Sequence, residues 1–241
     1  MAAELAIREA FAPSGVLRIS INFGNPILAT KDAGGKPKGI SVDLANELAS
    51  ALALPLELVS FDAAGDAVTA VAAGDADVGF FAIDTKRGEE ISFTAPYILI
   101  EGNYLVRTDS LIRTTTDVDK PGIRVAVGAG SAYDLFLTRE LKRAEIVRGS
   151  TSPEVVNTFL REGLDVAAGV KQQLKADADR LGGLRLLDEK FMTIRQAMGI
   201  AKSRGPQAAL LLGGFIGRMK RNGFVTAAMR RHEINEASVA D

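Results

Sequence analysis

Short apolar runs alternate with helix-patterned stretches twice over in this chain, and that alternation constrains its fold more than any other feature. Val16–Ile21 is β-branched and bounded by Gly15, which reads as a first strand. From Gly39 to Leu52, leucines 44, 48 and 52 recur at four-residue spacing, a helix face turned toward a sheet, with Ser41 as its cap. Leu56–Phe61 reads as a second strand, Asp66–Ala73 as a helix stopped by Gly74, and Val78–Ile83 as a buried third strand. This order implies right-handed crossovers and a mostly parallel sheet. It then recurs. Pro121–Tyr133 is a strand, a glycine turn and a helix start, and Glu145–Val147 is a short strand. Ser152-Pro-Glu opens a helix through Phe159, with serine as cap, and Leu164–Gly169 turns into a further strand. Lys171–Leu181 is helical and Arg185–Leu187 a short strand. Gln196–Ala201 reads as a returning strand, Ala208–Met219 as a helix, and Met1–Phe11 as a short amphipathic helix.

After the third strand a polar turn carries Arg87, followed by Ile91, Phe93-Thr94 and Pro96-Tyr97. A guanidinium on a loop at a strand's end grips an anion through two parallel hydrogen bonds. In open α/β sheets that end of the strands is where ligands sit. For the arginine taken alone, a surface ion pair with Glu89 or Glu90 is the alternative. The spacing from Arg87 to Tyr97 resembles the type II periplasmic solute-binding proteins of amino-acid ABC transporters, bacterial extracellular solute-binding family 3. Three further segments share the resemblance: Gly39…Asp43-Leu44, Gly74…Asp77, and Gly217–Val225 with its glycine between two closing helices. It therefore spans almost the whole chain.

The resemblance implies a two-lobed α/β fold, periplasmic-binding-protein-like type II, each lobe a mostly parallel sheet flanked by helices. Lobe 1 would take residues 1–106 plus 198–241 and lobe 2 residues 107–197, joined by a two-stranded hinge. Arg87 would clamp a ligand carboxylate, Asp43 would be structural, and the loop at Ser131 and Ala132 would close on the carboxylate from the second lobe. The implied function is capture of a small anionic organic ligand, amino-acid-like or a related acid, by hinge closure. An ABC permease is the implied partner, the expected state is a monomer, and no cofactor is implied.

Composition agrees and removes other classes. At 241 residues with 47% hydrophobic and 24% charged residues, the chain suits two lobes of ordinary globular make-up. A net charge of −1 gives no reason to expect nucleic acid, and no apolar run approaches the roughly 18 residues of a membrane span. The absence of cysteine excludes disulfides and thiolate chemistry, and the single histidine, His232, leaves no His-rich metal site and no ready catalytic triad. No catalytic or metal-ligating residue is assigned. Met1–Phe11 has acids where a signal peptide needs positive charge. Either an export signal lies outside this chain, making the protein periplasmic as in the family, or Met1 is the native start and the protein is cytoplasmic.

Candidate ligand-binding residues are Asn22, Phe23 and Asn25 after the first strand, Phe81, Ala82, Asp84 and Arg87 around the third, and Glu101, Ser131, Ala132, Tyr133 and Val170 beyond. Asn22 and Asn25 are equally suited to holding a turn, and of the adjacent Phe80 and Phe81 at least one is core. Gly128-Ala-Gly-Ser131 has two glycines of a dinucleotide fingerprint but Tyr133 where the third belongs, so helix-terminal amides aimed at an anion, or a plain tight turn, are the better readings. Two departures from the resembling family bear on the ligand. Its usual ammonium-binding aspartate is Val170 here, leaving Asp84 and Glu101 as substitutes, and its usual threonine three residues before the arginine is Asp84. Two rival functions use the same fold: a small dehydratase or lyase resembling cyclohexadienyl dehydratases, with Asp84, Glu101 or Lys171 as acid or base, and a cytoplasmic ligand-sensing module.

Overall fold

Runs of valine, isoleucine and leucine form strands where both sheet faces are covered, and leucines at four-residue spacing form the helices that cover them. The computed structural model describes residues 2–241, with side chains from Ile7 onward. In chain order the elements are α1 (Ala2–Phe11), β1 (Leu17–Asn22), β2 (Thr30–Lys31), β3 (Pro37–Lys38), α2 (Ile40–Leu52), β4 (Leu56–Phe61), α3 (Ala64–Ala73), β5 (Val78–Ala82), β6 (Ile91–Phe93) and β7 (Ile98–Arg107). There follow β8 (Arg124–Gly128), α4 (Ala132–Glu140), β9 (Glu145–Gly149), α5 (Val155–Arg161), β10 (Val166–Val170), α6 (Lys171–Leu181), β11 (Leu184–Leu186), β12 (Met192–Ala201), α7 (Gly205–Arg221), α8 (Phe224–Arg231) and β13 (Ser238–Val239).

The chain divides into two compact units. Unit 1 comprises the chain up to Leu99 together with Arg195–Asp241, and unit 2 is Ile100–Ile194. The passages from one to the other fall inside β7 and β12.

In unit 1 the strand order is β4–β1–β5–β12. β1 runs parallel to β4 and to β5, and β12 returns antiparallel to β5, with Gln196 opposite Ala82 and Ile200 opposite Val78. β6 pairs with β12, and β13 with the first residues of β7. A core cluster joins Ala67, Ala70 and Val71 of α3 to Ala76, Phe81 and Ile91. In α2, Ile40, Leu44 and Leu48 are buried, and α7 buries Leu212, Phe215 and Ile216. In unit 2 the order is β9–β8–β10–β7 with β11 also on β7. β8 is parallel to β9 and β10, and β7 is antiparallel to β10.

The repeated sequence pattern corresponds to a repeated device. In unit 1 the Arg18 N–H donates to Asp77 Oδ2 (2.8 Å), Asp77 N–H donates to the Arg18 carbonyl (2.7 Å), and Arg18 Nη2 reaches the Gly74 carbonyl (2.8 Å). In unit 2 Arg124 N–H donates to Asp165 Oδ2 (2.8 Å), Asp165 N–H to the Arg124 carbonyl (3.1 Å), and Arg124 Nη2 to the Gly163 carbonyl (2.8 Å). Each clip fastens the start of one strand to the turn that leads into its parallel neighbour. In unit 1 a second guanidinium, that of Arg204, joins Asp77 at 2.8 Å.

Some expected boundaries move. Ser41 is not a cap: Gly39 precedes α2 with no side-chain cap, and Ser41 is buried in the first turn. Ser152 opens a short 3₁₀ turn, Ser152–Glu154, and α5 begins only at Val155. β13 had no counterpart in the sequence reading.

Candidate functional site

In each unit, parallel neighbours bring their C-terminal ends to one edge of the sheet, and the candidate residues gather there. In unit 1 the edge is formed by the ends of β1 and β5 and the facing part of β12. Asp84 shapes the turn after β5: its Oδ1 accepts the Lys86 N–H (2.9 Å) and its carbonyl accepts the Gly88 N–H (2.9 Å). Arg87 begins the 3₁₀ turn Arg87–Glu89 that follows. Its guanidinium is turned inward, 7% exposed, while Glu89 and Glu90 are exposed, so the surface ion-pair reading is set aside. Arg87 Nη1 donates to the Ala82 carbonyl at 3.2 Å. Burial pulls the Arg87 pKa down to about 10, against the opposing charge of Asp84, which still leaves the side chain charged at neutral pH.

The asparagines after β1 hold their own turns. Asn22 Oδ1 accepts the Gly24 N–H (2.8 Å), and buried Asn25 accepts the Ile27 N–H on Oδ1 (3.2 Å) and the Leu28 N–H on its carbonyl (3.0 Å). Phe23 is half-buried with Lys31 Nζ 4.7 Å above its ring. The Phe81 ring belongs to the unit 1 core and lies across Gly79 and Gly199. Phe80 is buried too, edge-on to Tyr97 with centroids 6.2 Å apart, because the strand is covered on both faces. Gln196 was missed by sequence reasoning. It faces Ala82 in the ladder and is 5% exposed, and its Oε1 has no hydrogen-bond partner among the described residues. A polar residue inside an apolar strand, Met198-Gly-Ile-Ala behind it, was the signal available.

In unit 2 the edge is formed by the ends of β8 and β10. Ser131 caps α4, its Oγ accepting the Asp134 N–H (3.0 Å). Gly130 takes φ 68°, and at Gly128 a Cβ would sit 2.8 Å from the Ser152 backbone, so both glycines serve a close-packed turn. Asp134 already places a carboxylate on the Gly130 N–H (2.9 Å) and is itself held by Arg148 Nε (3.0 Å). An own-chain anion at the glycine loop is incompatible with a dinucleotide cradle. The first-turn amides of Ala132 and Tyr133 have no intrahelical acceptor and are the donors such a terminus offers. The Tyr133 side chain is buried, which pushes its hydroxyl up to about 12. Val170 ends β10 opposite Gly102. Glu101 is not a free acid: Lys171 Nζ holds Oε2 (2.8 Å) and Lys190 Nζ holds Oε1 (3.0 Å), which keeps its carboxyl below the usual range.

Asp43 accepts from Arg231 and, at 2.9 Å, meets His232 Nε2, tying α2 to the end of α8. Among the described residues no cluster of three or more His, Cys, Asp or Glu could hold a metal ion. Among the described residues no helix is long and apolar enough to cross a membrane.

Comparison with known proteins adds the following. The family model described as bacterial extracellular solute-binding proteins, family 3, matches residues 17–233. The amino-acid-binding protein AabA of Dichelobacter nodosus is 22% identical over 227 residues, covering 92% of this chain and 89% of that one. The solute receptor for L-cysteine of Neisseria gonorrhoeae superposes with a TM-score of 0.81 at 20% identity, over 96% of this chain and 98% of the receptor. AbpA of Streptococcus pneumoniae, crystallised with L-arginine, gives 0.78 at 18% identity, over 93% and 97%. At such identities the structures establish the shared fold. These relatives are binding proteins rather than enzymes.

Proposed function

Because the chain belongs to the bacterial extracellular solute-binding proteins, family 3, we propose that it captures one small amino-acid-type solute, with Arg87 as the anchor for its carboxylate. The observation that carries this is the inward, charged guanidinium of Arg87 at the carboxyl edge of the unit 1 strands. A carboxylate meeting a guanidinium with two parallel hydrogen bonds is a strong match. Within unit 2, the α4 N-terminus at Ala132 and Tyr133 offers amide donors of its own. Named relatives that bind amino acids support the solute class. Delivery to an ABC-type permease belongs to this proposal. Of the three groups a dehydratase reading would use as acid or base, Glu101 and Lys171 pair with each other.

The test is titration calorimetry on Arg87→Ala after a thermal-shift screen of amino acids and related carboxylates has found a ligand. Loss of a buried charged hydrogen-bond partner should weaken binding by at least about 100-fold, with the far-ultraviolet spectrum unchanged. An unaltered Kd in the variant would remove Arg87 from the site.

A further inference from the structure

We propose that the outer face of α7, together with the end of α8, is a docking surface for an anionic lipid membrane. Residues 192–232 hold eight of the chain's 29 basic residues and none of its 30 acidic ones, so the rest of the molecule is acidic by nine charges. A net charge of −1 therefore conceals one strongly basic segment. Part of it is used within unit 1: Arg204 joins Asp77, while Arg231 and His232 meet Asp43. Lys220 is turned onto the Pro96 and Asp241 carbonyls. The others at the helix ends are not used. Arg218 and Arg221 in the last turn of α7 and Arg230 in the last turn of α8 are exposed, and none of the three meets a carboxylate among the described residues.

The helix dipole accounts for only half of this pattern. It favours cations in a last turn, but it equally favours acids in a first turn, and neither α7 nor α8 has one there. Without acids the cations form one face. Along α7, Gln207, Leu210, Gly214, Arg218 and Arg221 recur every three or four residues and all are exposed, which places them on a single stripe. A Cβ at Gly214 would stand 3.8 Å from Arg218 Nη1, and one at Gly217 3.2 Å from Arg221 Nη1. Both guanidinium groups thus lie back over bare helix backbone. Leu210, 76% exposed, is the large apolar side chain on the stripe. Acids approach at its margins: Asp241 beside Lys220, Glu233 just beyond α8, and Glu9 of α1, the helix that packs on α7. Guanidinium groups without carboxylates around one exposed leucine match a layer of anionic headgroups over acyl chains. Because α7 buries Leu212, Phe215 and Ile216 in unit 1, the contact is peripheral and α7 stays in place.

The experiment uses the full chain and co-sedimentation with vesicles of phosphatidylcholine, alone or mixed with phosphatidylglycerol, across a salt series. Binding is expected to the mixed vesicles only, and to fall as salt rises. Each basic residue close to an anionic surface strengthens binding about fivefold, so Arg218→Gln combined with Arg221→Gln should weaken it about 25-fold. Leu210→Ser should weaken it at every salt concentration, since apolar burial is not screened. Arg113→Gln combined with Arg143→Gln removes the same charge from exposed positions of unit 2 and should leave binding unchanged. Absence of sedimentation with the mixed vesicles overturns the proposal. Equal loss in the two double variants also overturns it, because net charge rather than this face would then govern binding. Retention on immobilised polyglutamate that needs Arg218 and Arg221, without vesicle binding, would give the face to an acidic protein and overturn the lipid reading. Should the α7 double variant fold poorly, Arg230→Gln, expected to weaken binding about fivefold, and the salt series of the unaltered chain decide the matter.

Discussion

Asp77 has no exposed surface and receives two guanidinium groups, from Arg18 and Arg204, each at 2.8 Å. Removing one member of such a cluster leaves partly buried charge without compensation. Asp77→Ala should therefore destabilise unit 1 by roughly 3 kcal/mol, read as a lowered urea midpoint at unchanged slope. A loss below about 0.5 kcal/mol would make the cluster an ordinary surface pair. Residues of this kind show how far the sequence could be read. The Gly-x-x-Asp turn ending at Asp77 was visible, but its second arginine lies 127 positions away and was not. Glu101 was recognisable as an acid, yet lysines 70 and 89 residues distant decide its role. Phe80 and Phe81 could not be sorted by alternation, because a strand buried on both faces has no polar side to mark.

Among the elements, those with a clean period and clear stops were legible. The second strand at Leu56–Phe61 and the helix at Lys171–Leu181 match β4 and α6 residue for residue. Helix α7 runs from Gly205 to Arg221, longer than expected at both ends, because Pro206 lies in a first turn that tolerates it and the chain stays helical through Gly213, Gly214 and Gly217. Nothing stands within 4 Å of a Cβ added at Gly213, so packing does not require glycine there. Gly213→Ala should raise stability by about 0.5–1 kcal/mol, seen as a higher Tm. A fall in Tm would mean that this face of α7 is already covered. Gly79 is the opposite case: an added Cβ would lie 2.1 Å from the Phe81 ring. The β13 strand was unreadable because two residues carry no period, and only its ladder to Ile98 and Leu99 defines it.

At the level of the whole molecule, unit 2 is one uninterrupted stretch, Ile100–Ile194, whereas unit 1 is assembled from both ends of the chain. The later segment contributes β12, the neighbour of β5 and β6, and the Arg204 that completes the Asp77 cluster. Ending the chain after Ile194 should leave residues 100–194 able to fold and the preceding part unable to. Limited proteolysis of that truncated chain should yield a resistant fragment from unit 2 alone, and an equally resistant N-terminal fragment would refute this. On the ribosome the same asymmetry becomes a schedule. The proposed Arg87 anchor emerges early but lies in a sheet that lacks its fourth strand, β12, until Ala201 has been translated. Solute capture at that anchor therefore cannot precede translation of β12, and a nascent chain would spend more than a hundred residues of elongation, from Ala82 to Met192, with the edge of β5 open to chaperones.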